Sequence, residues 1–220
     1  MSLSSAWTQL STEFDAFSDH LRNFAGTKPL INSASNFTFL DECLLEGLLS
    51  RCWQAWCNFC RKCVVESCTG TTNHAGVPIV ALPQATDEFI VSGAAIRAKS
   101  LPNPPYWGTA NTVLRVEPTW GDVDVLVKIL TRLSPTNSNQ LLAAFSSASA
   151  SAKTIQLIRN GAAHDNLQNR TEINRLQSAY IIFPAGHPTH SMFWIEPTSS
   201  DFLITHAIQE LKDAGLAAIS

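Results

Sequence analysis

The sequence predicts a mainly all-α protein, and three observations lead there. Apolar residues return at steps of three and four over long stretches, Gly and Pro gather between those stretches, and strand-like alternation is scarce. The 220 residues can bury one large core. They read as a single domain, 1–220, in which about 71–119 is an inserted or decorating segment.

The first expected helix runs from Ser4 to Ala25, where Trp7, Leu10, Phe14, Phe17, Leu21 and Phe24 line one face. Gly26 followed by Lys28-Pro29 ends it. After a Ser-, Asn- and Thr-rich stretch a second helix runs from Phe39 to about Cys68. Asp41 and Glu42 sit where the positive end of its dipole favours carboxylates, and Thr69-Gly70 stops it. Its apolar residues, from Leu44 and Leu45 to Cys63 and Val64, cover too much of the circumference for a single neighbour. That marks it as the central helix of a bundle.

Between Thr71 and Thr119 the residues Pro78, Pro83, Pro102, Pro104, Pro105 and Pro118 break the pattern, and only Asp87 to Lys99 reads as helix. Helical spacing returns at Asp122 to Leu133, at Ser138 to Phe145, from Ala152 or Lys153 to about His164, and at Thr171 to Ile181. Pro135 and the stretch Ser146 to Ser151 separate the first three of these. Tyr180 to Phe183 and Met192 to Glu196 read either as a short β-hairpin near 180–196 or as a helix end leading into an irregular loop. A last helix, Ser200 to Leu216, completes the pattern.

Apolar residues at 45% and charged residues at 15% exclude an intrinsically disordered chain. A net charge of −3 excludes a global field that would draw in nucleic acid, so any RNA contact must rest on a local cluster of Arg and Lys. The N-terminus lacks a basic start leading into an apolar core, and no stretch has the length of a membrane span. A cytoplasmic protein with no membrane partner is the expectation.

Five of the six cysteines, Cys52, Cys57, Cys60, Cys63 and Cys68, fall within one short segment, where mutual pairing along a helix would be strained. Free thiols in a reducing compartment are expected. The Cys57-x-x-Cys60-x-x-Cys63 spacing invites a metal, but iron–sulfur ligands need a wrapping loop, and neither Gly nor Pro lies between Leu48 and Cys68. Small, soft core residues beside Trp53, Trp56 and Phe59 are the preferred reading, with a zinc site shared with His74 as the alternative. His187 and His190 are read as loop residues. No metal and no cofactor is expected.

Chemistry concentrates at Arg159-Asn160-Gly161-Ala162-Ala163-His164, late in an otherwise apolar helix. At about 100° per residue, Arg159 and His164 stand roughly 140° apart around the axis, so one helix does not aim both at one atom. A twofold axis would bring two copies together in a shared cleft, with Gly161, Ala162 and Ala163 allowing two backbones to approach. RNA cleavage by transesterification needs a base for the 2′-hydroxyl proton, an acid for the leaving 5′-oxygen, and positive charge on the phosphorane. Histidine suits the proton transfers, and the arginine fork suits the phosphate oxygens.

Arg159-Asn160-x-x-x-His164 resembles the catalytic motif of the HEPN (higher eukaryotes and prokaryotes nucleotide-binding) ribonucleases, and the match to that six-residue pattern is complete. The surrounding helices resemble the same superfamily, and LLEGLLSRCWQAWCNFCRKCVVESC is similar to the central helix of a bacterial subgroup linked to RNA processing and defence. The segment 71–119 departs from a minimal HEPN bundle. The resemblance implies a four- or five-helix bundle that homodimerises through the motif. It further implies a metal-independent endoribonuclease leaving 2′,3′-cyclic phosphate ends, a toxin or anti-phage role, and an antitoxin or regulatory protein as partner. Arg159 and His164 would be catalytic and Asn160 would assist. Lys153, Arg170 and Arg175 are candidates to track RNA, and Glu46 is a candidate accessory acid, which with Arg51 has ion pairing or solvent as its other reading. The alternative for the whole chain is a non-catalytic dimerisation or RNA/nucleotide-binding module of the same fold.

Overall fold

The computed structural model describes residues 2–28, 33, 36–164 and 166–220. It is mainly helical: α1 (Leu3–Gly26), α2 (Phe39–Thr69), α3 (Glu88–Ser100), α4 (Val123–Leu133), α5 (Ser138–Ser147), α6 (Ser149–Ala163), α7 (Leu167–Leu176) and α8 (Leu203–Ile219). Strands β1 (Thr71–Thr72) and β2 (Pro78–Ile79) pair antiparallel, Thr71 opposite Ile79. Among the described residues, no helix is long and apolar enough to cross a membrane.

Side-chain caps fix several boundaries. Asp87 accepts from the Ile90 N–H at 3.0 Å, and Asp122 accepts from the Asp124 and Val125 N–H groups at 3.1 and 3.3 Å. The expected bounds of α1 to α5 hold closely. The break expected over Ser146 to Ser151 narrows to Ala148, because α6 already starts at Ser149. Helix α7 begins at Leu167 rather than Thr171, since Asn166 caps it by accepting from the Asn169 N–H at 3.0 Å. The hairpin considered near 180–196 reduces to one bridge, Ile181 with Ile195, because Pro188–Phe193 coils into a 3₁₀ helix.

The chain divides into two compact units. The first holds Met1–Ser11, Trp56–Ser149 and Lys212–Ser220. Its core is built around Trp56, Phe59 and Phe145, with ring centroids 5.8 to 6.4 Å apart, and Cys60, Cys63 and Cys68 buried nearby on α2. Helix α3, from the middle segment, buries Val91, Ala94, Ala95 and Ala98. A Cβ at Gly93 would collide with the Thr109 carbonyl, so only glycine admits the returning chain there. Arg132 of α4 donates to the Ala98 carbonyl and, at 2.7 Å, to the Leu101 carbonyl, satisfying the end of α3.

The second unit holds Thr12–Ala55 and Ala150–Leu211. Phe14, Leu21, Leu45, Leu49, Ile155, Ile158, Trp194 and Leu203 are fully buried in its core. The Trp194 indole N–H donates to the Phe183 carbonyl at 3.1 Å, which ties down the chain between α7 and α8. This unit carries the residues with candidate chemistry.

Candidate functional site

Helix α6 is amphipathic in the plain sense. Ser151, Ala152, Thr154, Ile155, Ile158 and Gly161 are buried, at the three- and four-residue spacing of one face. On another face Lys153, Gln156, Leu157 and Asn160 line an open groove of about 420 Å³ with Asn169 and Glu172 of α7. The sequence-predicted Lys153 and Asn160 therefore share one surface.

Arg159 is half-buried and donates from Nη1 to Asn160 Oδ1 at 3.0 Å. Its Nε is buried and donates to no acceptor among the described residues. A buried guanidinium N–H without an acceptor is costly, of order 1–3 kcal/mol. His164 follows the last residue of α6 and is exposed, its backbone N–H still reaching the Asn160 carbonyl at 2.9 Å.

The turn after α6 is held by amides. The Asn169 side chain donates to the His164 carbonyl at 2.8 Å and the Asn160 carbonyl at 3.4 Å, and Asn166 Nδ2 donates to the His164 carbonyl at 3.1 Å. These bonds satisfy carbonyls that a helix end leaves open, and they fix the backbone that carries His164. Asp165 lies outside the described residues. The sequence reading missed Asn169 as the residue that ties this turn to α6; its signal was the Asn166-x-x-Asn169 spacing of a capped helix start.

Gly161 has a different use from the one expected. It is buried, and a Cβ there would meet Ile173 Cδ1 at 2.7 Å and Pro188 Cβ at 3.4 Å. Its small size serves packing of α6 against α7 and the 3₁₀ segment of the same chain, which corrects the assignment of Gly161 to an intersubunit approach. Ala162 is half-buried and Ala163 is exposed.

The remaining candidates are dispersed. Glu46 pairs with His187, Oε1 to Nε2 at 3.3 Å, and Arg51 pairs with Glu13 at 3.3 Å. Arg170 is exposed on α7 beside a pocket that His187 also lines, and Arg175 is exposed on the same helix.

Beside the motif the structure assembles a second polar cluster from residues read as a helix start and a loop. Glu42 and Glu46, one turn apart on α2, face His190 and His187. His187 caps the 3₁₀ helix, its Nδ1 accepting from the Thr189 N–H at 3.4 Å, while His190 Nδ1 accepts from the His187 N–H at 3.3 Å. Both Nδ1 atoms being acceptors, the neutral rings carry their protons on Nε2, towards the carboxylates.

His190 is 2% exposed and stacks on Phe37 at 4.1 Å between centroids. Its Nε2 lies 3.1 Å from Glu42 Oε1, close enough for an ion pair but without the alignment of a hydrogen bond. Burial lowers the His190 pKa and the neighbouring His187 adds to that, against the opposing pull of Glu42. The cluster was legible only in part, as matched spacings: the glutamates four positions apart on one helix and the histidines three positions apart.

Among the described residues, no group of three or more His, Cys, Asp or Glu is arranged to hold a metal ion. Burial pushes the Cys68 thiol up to about 12 and raises Cys52, Cys60 and Cys63 as well, as expected of core thiols. Compared with known proteins, the chain matches no protein-family model, no curated protein and no solved structure.

Proposed function

We propose that the protein is a metal-independent endoribonuclease of HEPN type, acting at a composite site where two copies of the α6 end meet. The observation that carries this reading is the state of Arg159. Its fork is steered by Asn160, and its buried Nε is left without an acceptor among the described residues, at the same helix end as the exposed His164. A phosphate oxygen is the acceptor that the Nη groups of such a fork fit best.

In this scheme one His164 removes the 2′-hydroxyl proton and the oxygen attacks the adjacent phosphorus. His164 of the partner subunit protonates the departing 5′-oxygen. Arg159 holds the charge of the phosphorane, and Asn160 positions Arg159. The products are a 2′,3′-cyclic phosphate and a 5′-hydroxyl, with no other reactant consumed. Lys153 on the adjoining groove supplies local positive charge against the net −3 of the chain. A toxin or anti-phage role, held in check by an antitoxin or regulatory protein, is the biological setting that fits such an activity.

The test is cleavage of labelled RNA in EDTA by wild type, Arg159→Ala and His164→Ala, with a 2′-deoxy control. Loss in both variants and on the deoxy substrate supports the reading. Equal activity in all three proteins refutes it, and a folded dimer that binds RNA without cutting it would identify a binding module instead.

A further inference from the structure

The first three turns of α2 carry an apolar face that the described residues leave uncovered. Phe39, Leu40 and Leu44 are 82%, 76% and 50% exposed, and Cys43 and Gly47 are exposed beside them. At about 100° per residue these five positions fall within an arc of about 140°, with Gly47 near its middle. We infer that this face is a self-association surface, on which a second copy of the chain packs its own α2 in the opposite direction. The contact is separate from the one at the α6 end that the ribonuclease reading requires.

Gly47 is the residue that most needs a reason. Glycine weakens a helix interior, and a Cβ at Gly47 would meet nothing within 4 Å among the described residues. Gly93, Gly161 and Gly215, the other glycines in helix interiors, would each bring a Cβ to 3.0 Å or less from a neighbour in their own chain. Among the described residues nothing uses the small size of Gly47, whereas a second helix could approach closely there. A twofold axis between Cys43 and Leu44 sets Leu40 against Gly47 of the partner subunit, and the reverse. Each leucine then enters the gap that the opposite glycine leaves.

Charge selects the occupant. At net −3, two copies repel wherever acidic surfaces meet, but Phe39, Leu40, Cys43, Leu44 and Gly47 bring no charge into the arc. The carboxylates of these turns lie outside it. Asp41, Glu42 and Glu46 are engaged by Lys28, His190 and His187 of the same copy at 2.5, 3.1 and 3.3 Å. An identical face is thus admitted without like-charge repulsion, and its three large apolar side chains meet three more. The patch is small. A total below about 1,200 Å² marks the weak end of specific interfaces, so the dimer forms and dissociates with concentration.

Cys43 supplies the probe, as the one exposed cysteine of the chain. Packed helix axes lie about 8–10 Å apart, so a short bismaleimide should join Cys43 to Cys43 of the partner subunit in wild type and leave Cys43→Ser unlinked. Sedimentation equilibrium from about 5 to about 500 µM should show the mean mass rising with concentration. Leu40→Glu and Gly47→Glu should each lower the cross-link yield and raise the dimer Kd by about tenfold or more. Gly47→Glu also controls for folding. Glutamate favours a helix over glycine and finds open space at this position, so the Tm should not fall.

A wild type that stays monomeric overturns this face and the composite site together. A dimer by sedimentation without the Cys43 cross-link places the contact elsewhere, which overturns this face and leaves the ribonuclease reading standing. A cross-link of equal yield in wild type and both variants overturns it too. A cross-link lost in both variants, with each still folded, upholds the face whether or not the same proteins cleave RNA.

Discussion

Gly161 and Ile173 meet so closely that a Cβ on the first would sit 2.7 Å from Cδ1 of the second. The contact joins the helix carrying Arg159 to the helix whose start holds the His164 backbone. Two effects oppose each other when Gly161 becomes alanine. Helix propensity favours alanine by about 1 kcal/mol, and overpacking a buried contact costs about 1–3 kcal/mol. Overpacking should win, so Gly161→Ala should lower urea stability by about 1 kcal/mol. Removing Cδ1 with Ile173→Val takes away the clash. In that background the same Gly161→Ala change should become stabilising, by up to about 1 kcal/mol. Urea melts of the four proteins decide the matter, and an unchanged sign in the Ile173→Val background would contradict the packing account.

In the proposed ribonuclease Asn160 positions Arg159, because its Oδ1 accepts from Nη1 of Arg159. Asn160→Ala frees the guanidinium to sample other rotamers without removing its charge. Small misplacements of a reacting group cost up to about 100-fold, so kcat should fall by about 10- to 100-fold with KM changed little. Asn160→Asp keeps the acceptor and adds a charge, and it should restore part of the rate at low salt. A wild-type rate in Asn160→Ala would leave Asn160 as a purely local hydrogen-bonding residue.

In the first unit, Arg61 forks onto Glu117, with Nε to Oε2 at 2.7 Å and Nη2 to Oε1 at 2.9 Å, and the Glu117 side chain is only 8% exposed. The Trp120 indole N–H donates to the same carboxylate at 2.8 Å. Burial alone would raise the Glu117 pKa, but hydrogen bonds from Arg61, Ser92 and Trp120 outweigh it and hold the carboxyl below its usual range. Removing the carboxylate leaves the Trp120 indole N–H without its acceptor and Arg61 with Glu88 alone at 3.1 Å, so Glu117→Ala should cost about 2 kcal/mol of stability. The loss should exceed that from Glu13→Ala, whose partner Arg51 has a side chain 72% exposed. Chemical denaturation of both variants provides the comparison.

Much of the fold was legible because it depends on local periodicity and punctuation. The Leu10-Phe14-Phe17-Leu21-Phe24 stripe, the cap at Asp87 and the cap at Asp122 each act within a turn or two of chain. Features set by distant residues were not legible. Nothing local to Gly161 announces Ile173 and Pro188, and nothing local to Glu42 announces His190. The cysteines show the other side of this. Their three-residue spacing alone left metal and core readings open, while burial of Cys52, Cys60, Cys63 and Cys68 favours the core. The 3₁₀ helix at Pro188–Phe193 was hidden because its cap is a histidine, His187, rather than one of the usual Ser, Thr, Asp or Asn signals.

The buried His190 makes stability depend on pH. Burial lowers its pKa below the ordinary value of about 6.5, with Glu42 opposing and His187 adding to the depression. Above about pH 6.5 both folded and unfolded chains carry the neutral ring, and stability is independent of this group. As the pH falls below that value, the unfolded chain gains a proton at His190 that the folded chain refuses, so stability declines until the folded pKa is reached. The proton would also go to Nδ1, the atom that accepts the His187 N–H, so protonation removes a cap of the 3₁₀ helix. Thermal melts of wild type from pH 7.5 to 5 should therefore show a falling Tm. His190→Gln, which does not titrate in this range, should show a shallower decline over the same interval. Parallel slopes in the two proteins would place the acid sensitivity in another group.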